Sequence, residues 1–248
     1  MDQRLKHIAD NMEKMKLGAD DTFRFSCKQC GKCCINRDDI ILTPFDLFRA
    51  SKKLNMAPHE FIKEYCESYI GDSSRMVVVR LKPRGSIKRC PLLKDRKCMV
   101  HDSKPGVCAM YPIGRGFMIK ADKYTPESIN FENVIYFFNG AHCGNDETHT
   151  VREWFASFGI PIEDEFFIEW QKTVTELHNI IEIAEKNFAK ESTLESLWNG
   201  IYVALYQDYD ITKEFLPQFL SNRDKLMSFL RTIPQFYLGG KKNVGQLQ

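Results

Sequence analysis

The sequence predicts an α+β protein in which a small cysteine-rich metal domain, built from short antiparallel strands and helices, precedes an α-helical domain. Every cysteine lies between Cys27 and Cys143, among short segments that alternate or are rich in β-branched residues. From residue 149 onward cysteine is absent, and apolar residues recur at three- and four-residue steps. The predicted divisions are an N-terminal helix, the metal domain, the helical domain and a flexible tail, at residues 1–21, 22–148, 149–236 and 237–248.

Composition excludes several classes of protein. With 43% hydrophobic residues among 248, the chain can bury a core, and its net charge of +2 gives no global argument for nucleic acid or membrane binding. No apolar stretch approaches the roughly 18–20 residues that cross a bilayer. The charged N-terminus lacks the apolar core of a secretory signal, so we expect a cytoplasmic protein. In a reducing cytosol, nine cysteines are not expected to form disulfides.

The first half contains three predicted helices and four predicted strands. An apolar stripe predicts a helix over residues 1–19. Thr43-Pro44 and Ala57-Pro58 each begin a helix, since proline fits the first helical position, and Cys66 is expected inside the second of these. Alternating or β-branched composition predicts the strands, at residues 22–26, 75–82, 113–120 and 131–138.

The second half predicts a helical bundle. Thr150 caps one helix, and a long helix follows from Phe167 to Phe188 with an apolar stripe. Two more helices are expected, at residues 193–208 and 212–230. The apolar stripe of the long helix is explained by packing within the bundle or, alternatively, by a homodimer interface (a dimer seam).

Four thiols within residues 27–34 indicate metal binding. Cys27, Cys30 and Cys33 are separated by two residues each, a spacing that turns sulfurs onto one ion, and Gly31 suits the tight turn. Neighbouring side chains tend to diverge, so we expect Cys33 and Cys34 to serve two centres, or two irons of one cluster.

A second group of cysteines completes the predicted site. Cys90-Pro91, Cys98 and Cys108 follow a strand, and Cys143 returns after the last strand. His101 and His142 are candidates to replace a cysteine or to support one. Cys66 has no neighbouring ligand and is left out as a core residue. The predicted ligands are Cys27, Cys30, Cys33, Cys34, Cys90, Cys98, Cys108 and Cys143.

Basic residues surround the second group. Nine lysines and arginines lie between Arg80 and Lys104, against Asp95 and Asp102. Three explanations remain open. The run is a solvated face, or its cations favour the ligating thiolates, or it binds RNA, although interleaved aromatic residues are missing.

These motifs resemble the YkgJ-type cysteine-cluster family, also described as a zinc- or iron-chelating domain. The resemblance covers roughly residues 22–160, and its elements follow in order: Phe25-x-Cys27-x2-Cys30-Gly31-x-Cys33-Cys34, Cys90-Pro91-x-Leu93, Cys98, Pro105-x2-Cys108-x2-Tyr111-Pro112 and Cys143. The family includes the flagellin lysine methylase, in which an iron–sulfur cluster is implied. The resemblance therefore implies a metal, and methyl transfer to a protein lysine as one concrete reaction.

The spacing favours one or two [4Fe–4S] clusters, with zinc as the alternative. Three thiols at Cys-x2-Cys-x2-Cys and a remote Cys-Pro are closer to ferredoxin ligation than to paired zinc knuckles. The function predicted is a redox or protein-modifying iron–sulfur protein, whose partner is another protein as substrate or redox partner. The alternative is a zinc-stapled protein-interaction module without catalysis. The sequence contains neither a glycine-rich nucleotide loop nor a Cys-x3-Cys-x2-Cys triplet.

Overall fold

The fold is α+β, as the sequence predicts. The computed structural model describes residues 11, 14–120, 124–138, 140–141, 143–187 and 190–232. In this part of the chain the strands are two to six residues long, and the C-terminal residues are mostly helical. No helix among the described residues is both long enough and apolar enough to cross a membrane.

The chain divides into two compact units that differ from the predicted domains. The first unit comprises residues 1–40 and 81–168, and the second comprises residues 41–80 and 169–248. The segment 41–80 therefore belongs with the C-terminal helices, although it precedes most of the cysteines. Within the first unit the Leu81 N–H donates to the Ile40 carbonyl (3.0 Å), so the chain leaves and re-enters this unit at neighbouring points.

Two small antiparallel sheets frame the first unit. Strands β1 (Lys16–Leu17), β8 (Val134–Phe138) and β7 (Ile113–Phe117) form a sheet in the order β1–β8–β7. Strand β2 (Thr22–Ser26) pairs with β9 (Asn145–Thr150), and Ser26 lies opposite Asn145. The predicted N-terminal helix falls mostly outside the described residues, and its predicted end is wrong, because Lys16 and Leu17 pair with β8.

Aromatic residues fill the core of the first unit. The alternation of β2 buries Phe23 and Phe25, as its sequence predicts, and Trp154 packs edge-on against Phe25 at 5.4 Å between ring centroids. Trp154 lies on α4 (Val151–Ala156), where the Glu153 N–H donates to the Thr150 hydroxyl (3.1 Å). This reciprocal cap satisfies two otherwise unpaired backbone donors and fixes the start of the helix.

Several other elements of the first unit are short and lie among the cysteines. They are β5 (Leu93–Lys94), β6 (Lys97–Cys98) and α3 (Gly106–Met110), with one-turn 3₁₀ segments at Lys32–Cys34 and His101–Ser103. Strands β5 and β6 form a hairpin that the sequence analysis did not predict.

The second unit is mainly helical. It contains α1 (Pro44–Leu54), α2 (Pro58–Tyr65), most of α5 (Glu165–Asn187), α6 (Glu191–Tyr202) continued by a π-helical turn at Val203–Gln207, and α7 (Phe215–Leu230). Strands β3 (Cys66–Ile70) and β4 (Val77–Leu81) form a two-stranded sheet. The predicted start of α1 is confirmed, because the Thr43 hydroxyl accepts from the Asp46 N–H (3.2 Å).

Packing inside the second unit accounts for the apolar stripe of α5. Leu177 and Ile181 are fully buried, and the Trp170 ring packs edge-on against Tyr206 at 6.0 Å. The homodimer seam stays a prediction. Cys66 begins strand β3 rather than lying inside a helix, and burial raises the pKa of its thiol to about 12. Its environment is that of a small core residue.

Two glycines of β7 provide a matched test of the first unit. A Cβ at Gly114 would lie 2.2 Å from the Phe137 ring, whereas a Cβ at Gly116 would meet nothing within 4 Å. We expect Gly114→Ala to lower the free energy of unfolding by about 1–3 kcal/mol because the ring must move. Gly116→Ala should change it by less than about 0.5 kcal/mol. Urea unfolding of the two variants checks this, and equal effects would contradict the strand register.

Candidate metal centre

The eight predicted cysteines line one cavity of the first unit. The cavity has a volume of about 80 Å³. Four separate stretches of chain supply its thiols, around residues 27–34, 90–98, 108 and 143. None of the nine cysteines forms a disulfide. Cys66 belongs to the second unit and does not line the cavity. The structure thus brings together the thiols that the spacing selects, and their role as ligands stays a prediction.

A tight turn presents the first four thiols. Gly31 has a φ of +74°, which a residue without Cβ adopts freely, and the Cys34 N–H donates to the Gly31 carbonyl (3.0 Å). The expected divergence of Cys33 and Cys34 is not seen, because their sulfurs lie 3.9 Å apart. The 3₁₀ turn brings these neighbours together, so the pair faces one cavity.

Backbone pairing brings the second group to the first. The Cys90 N–H donates to the Cys34 carbonyl (2.7 Å), and the Asn36 N–H donates to the Ile87 carbonyl (2.9 Å). In the hairpin, Cys98 lies opposite Leu93. Two-residue strands leave almost no periodic signal, which explains why sequence analysis missed the element that positions Cys98.

Local caps and an aromatic ring position the last two thiols. Cys108 lies on α3, where its N–H donates to the Pro105 carbonyl (2.8 Å). Cys143 follows the end of β8 and precedes Gly144, whose φ is +116°. A Cβ at Gly144 would lie 2.6 Å from the Phe25 ring, so the chain approaches that ring at a distance only glycine permits.

Four basic residues line the cavity: Lys28, Arg37, Arg96 and Lys104. The charges of two of them, Lys104 and Arg37, act on the Cys33 thiol. Lys104 is 7% exposed, and its ammonium lies 4.0 Å from the centroid of the Phe158 ring. Arg37 pairs with Asp39 at 2.5 Å and also lines the cavity. Lys104 belongs to the basic run that the sequence shows, whereas Arg37 lies outside that run and was not predicted as part of the site. Both charges favour thiolates over thiols.

Burial and neighbouring charges move the thiol pKa values in opposite directions. Burial chiefly raises the pKa of Cys90 to about 11 and that of Cys108 to about 12, and it also raises the pKa of Cys98. A hydrogen bond from Cys34, with the charges of Lys104 and Arg37, lowers the pKa of Cys33 to about 6. The pKa of Cys34 is raised, because the pair shares one proton. Without a metal, Cys90, Cys98 and Cys108 are therefore mostly protonated at neutral pH.

Of the two histidine candidates, the structure describes only His101. His101 lines the cavity, and its Nε2 lies 3.4 Å from the Gln29 amide nitrogen. Burial lowers its pKa, which favours the neutral imidazole that metals bind. His142 lies outside the described residues.

The donor set fits a thiophilic metal, although side chains must turn to close on it. Within the described segments, no three cysteine, histidine or carboxylate side chains already meet at the spacing of a closed metal site. The thiols instead surround a common space, so binding requires rotation about their χ1 torsions. Cysteine thiolates are the ligands of zinc and iron–sulfur centres.

Comparison with protein families identifies this part of the chain. Residues 26–128 match the family model CxxCxxCC, described as a "putative zinc- or iron-chelating domain". The matched stretch contains all the predicted ligands except Cys143. The cysteine-cluster family that the motifs resemble is therefore confirmed for these residues, and the match supports metal chelation. No curated protein matches the chain, and no solved structure matches it.

Cysteine substitutions should separate ligands from core residues. We expect Cys30→Ser and Cys108→Ser to lose bound metal, because a hydroxyl is a poor ligand for a thiophilic ion. Cys66→Ser is the control, since Cys66 is buried in the other unit. It should keep the metal even though polar substitution of a buried residue costs about 1–3 kcal/mol of stability. Metal content per folded protein is the measurement, and loss of metal from the Cys66 variant would show that the ligand set is wrong.

Metal affinity should rise with pH. Burial holds the pKa of Cys90 at about 11 and that of Cys108 at about 12, so binding must displace their protons at neutral pH. Each displaced proton should raise the apparent affinity about tenfold per pH unit, and acidification should release the metal. Competition with a chelator at two pH values about one unit apart measures this. An affinity independent of pH would mean that these thiols are not ligands.

Proposed function

We propose that this CxxCxxCC chain binds a [4Fe–4S] cluster in its cysteine cavity and acts as an iron–sulfur protein in electron transfer or protein modification. The observation that carries the proposal is the convergence of eight thiols on one space of about 80 Å³. Family membership supports metal chelation, and the geometry of the chain's own residues supports the choice of group.

Cavity size favours a group of several atoms over a single ion. In a tetrahedral zinc site the four sulfurs lie about 2.3 Å from the ion, which leaves little free space between them. A single water molecule needs about 10–15 Å³ of such space. The cavity offers about 80 Å³, several times that volume. A cluster with its bridging sulfides uses such space better than one zinc ion does.

The arrangement of ligands also favours a cluster. Cys27, Cys30 and Cys33 supply three thiols at two-residue separations, and Cys90 precedes a buried proline. Pro91 has no N–H to donate and stiffens the turn that presents Cys90. This combination is typical of ferredoxin ligands rather than of paired zinc knuckles.

The number of thiols leaves room for one or two centres. Their charges act on one another across the whole cavity, since Cys33 acts on Cys90, Cys98 and Cys143. Cys27 likewise acts on Cys98 and Cys143. A single cluster would take four of the eight, and the others would support it.

The chain's own residues prepare this cavity for a charged group. Leu92 lines the cavity, is almost completely buried and excludes water from that side. Arg37 and Lys104 offset the negative charge that several thiolates bring. A bound [4Fe–4S] cluster supplies one-electron chemistry, at a potential set by cluster charge, hydrogen bonds to its sulfurs and solvent exposure.

Protein modification is the more specific form of the proposal. The resemblance to a family that includes the flagellin lysine methylase supports methyl transfer to a protein lysine. A cluster whose irons are all held by thiolates cannot bind the substrate directly, and would instead pass electrons or hold the fold. Eight candidate thiols exceed the four that one cluster needs, so which thiols bind iron is not fixed by their number. A cluster in which one iron carries an exchangeable ligand is compatible with this set.

A zinc staple is the second candidate, and the sparse regular structure around the thiols favours it. Strands β5 and β6 have two residues each, and residues 35–39 belong to no strand or helix. Segments of this kind bury little core on their own, and a metal that crosslinks them contributes directly to folding.

Anaerobic purification and metal analysis test the proposal. We expect a brown protein with iron and sulfide, absorbance at about 400 nm and a reversible paramagnetic resonance signal after dithionite. Mössbauer spectroscopy would then give the cluster type. Colourless protein with stoichiometric zinc, which unfolds when the metal is chelated, would establish the staple instead.

A further inference from the structure

We infer that the exposed cations beside the cysteine cavity form a docking surface for an acidic segment of a partner protein. This inference rests on the proposed function, because it assigns a partner class to the same site. The surface, here called the basic rim, consists of exposed residues from two stretches of the first unit: Lys28, Lys32, Arg84, Lys88, Arg89, Lys94, Arg96 and Lys97.

The hairpin holds like charges together against their repulsion. Lys94 and Lys97 lie directly opposite each other on β5 and β6, an arrangement that destabilises an antiparallel pair. Asp95 and Arg96 form the turn with φ angles of +48° and +62°. Aspartate suits the first of these positions, whereas Arg96 stands where glycine is usual. Neither the lysine pair nor Arg96 helps the hairpin to fold. An anionic ligand across the two lysines would relieve the repulsion.

A second turn repeats this pattern. Arg84 and Arg89 form an antiparallel bridge, with backbone hydrogen bonds of 2.8 and 2.9 Å between them. Lys88 lies in the same turn and pairs with Asp38. The Arg37 N–H donates to the Lys88 carbonyl (3.4 Å), which ties this turn to the first cysteine segment. Two separate turns of one unit thus place basic residues opposite each other.

The basic rim adjoins the cavity. Leu93, Arg96 and Cys98 of the hairpin all line it. A Cβ at Gly31 would lie 3.9 Å from the Arg96 carbonyl oxygen, so the hairpin turn also lies beside the first cysteine turn. A segment bound across Lys94 and Lys97 therefore lies at the edge of the cysteine site.

The surface fits an acidic protein segment better than a nucleic acid. The stretches 27–37 and 82–98 contain no aromatic residue on which bases could stack. Their exposed apolar residues are the aliphatic Ile35 and Ile87, whose chain segments are hydrogen-bonded at Asn36. Cations around a small aliphatic patch complement a peptide with acidic residues and an occasional apolar one.

Peptide binding by the metal-loaded protein tests this. The probe is a fluorescein-labelled peptide of glutamates with two leucines, and the comparison is a labelled oligouridylate of equal charge; both are followed by anisotropy over a range of salt. The test variant is Lys94→Gln/Lys97→Gln. The matched control is Lys52→Gln/Lys53→Gln, which removes the same charge from exposed positions of α1.

We expect the peptide to bind, and the hairpin variant to weaken binding about fivefold at low salt while the α1 control changes it by less than about twofold. The melting temperature of the hairpin variant should be unchanged or raised, because a repulsion is removed. Arg84→Gln/Arg89→Gln gives a second variant, for which the same weakening is expected.

Three results would overturn the inference: no peptide binding, equal loss in the α1 control, or tighter binding of the oligouridylate with the same sensitivity to the hairpin lysines. The last result would make the basic rim a nucleic-acid surface. Because the assay does not depend on which metal is bound, it stands if zinc replaces the proposed cluster. Conversely, a brown, cluster-containing protein that does not bind the peptide would overturn this inference and leave the cluster proposal unaffected.

Discussion

Eight thiols around one cavity impose the constraint on which the first unit depends. As thiolates they would repel one another, and burial already raises the pKa of Cys90 and Cys108 well above that of a free thiol. As thiols they are small, weakly polar groups that leave the space between them unfilled. No disulfide joins any of them. A bound cation would resolve the conflict, because it would supply the attraction that opposes their mutual repulsion.

A single aromatic ring connects three of the stretches that carry these thiols. Phe25 lies two residues before Cys27, packs edge-on against Tyr111 at 5.5 Å, three residues after Cys108, and covers Gly144, next to Cys143. Trp154 holds the other side of this ring. The position of the thiols therefore depends on a packed aromatic core beside them. Regular secondary structure contributes less, since the strand that carries Cys98 spans two residues and the helix that carries Cys108 spans five.

Sequence analysis could predict the features that depend on neighbouring residues. Thr43 with Asp46 caps α1, and the alternation of Phe23 and Phe25 defines β2, because both signals lie within a few residues. The pairing of Lys16–Leu17 with β8 depends on residues about 120 positions away, which no local pattern encodes. The placement of residues 41–80 in the helical unit is equally non-local. The cysteines were predictable since their chemistry, rather than their secondary structure, identifies them.

The run of cations between Arg80 and Lys104 is continuous in the sequence, but the structure divides it into a buried cation and exposed ones. Lys104 is buried against Phe158 and acts on the pKa of Cys33, so it belongs to the interior of the site. Lys94 and Lys97 are exposed on the hairpin, where water and salt screen their effect on the buried thiols. Stabilising thiolates therefore explains the inner cation but not the outer ones. The outer lysines lie opposite each other despite their repulsion, an arrangement that the proposed anionic partner segment would stabilise.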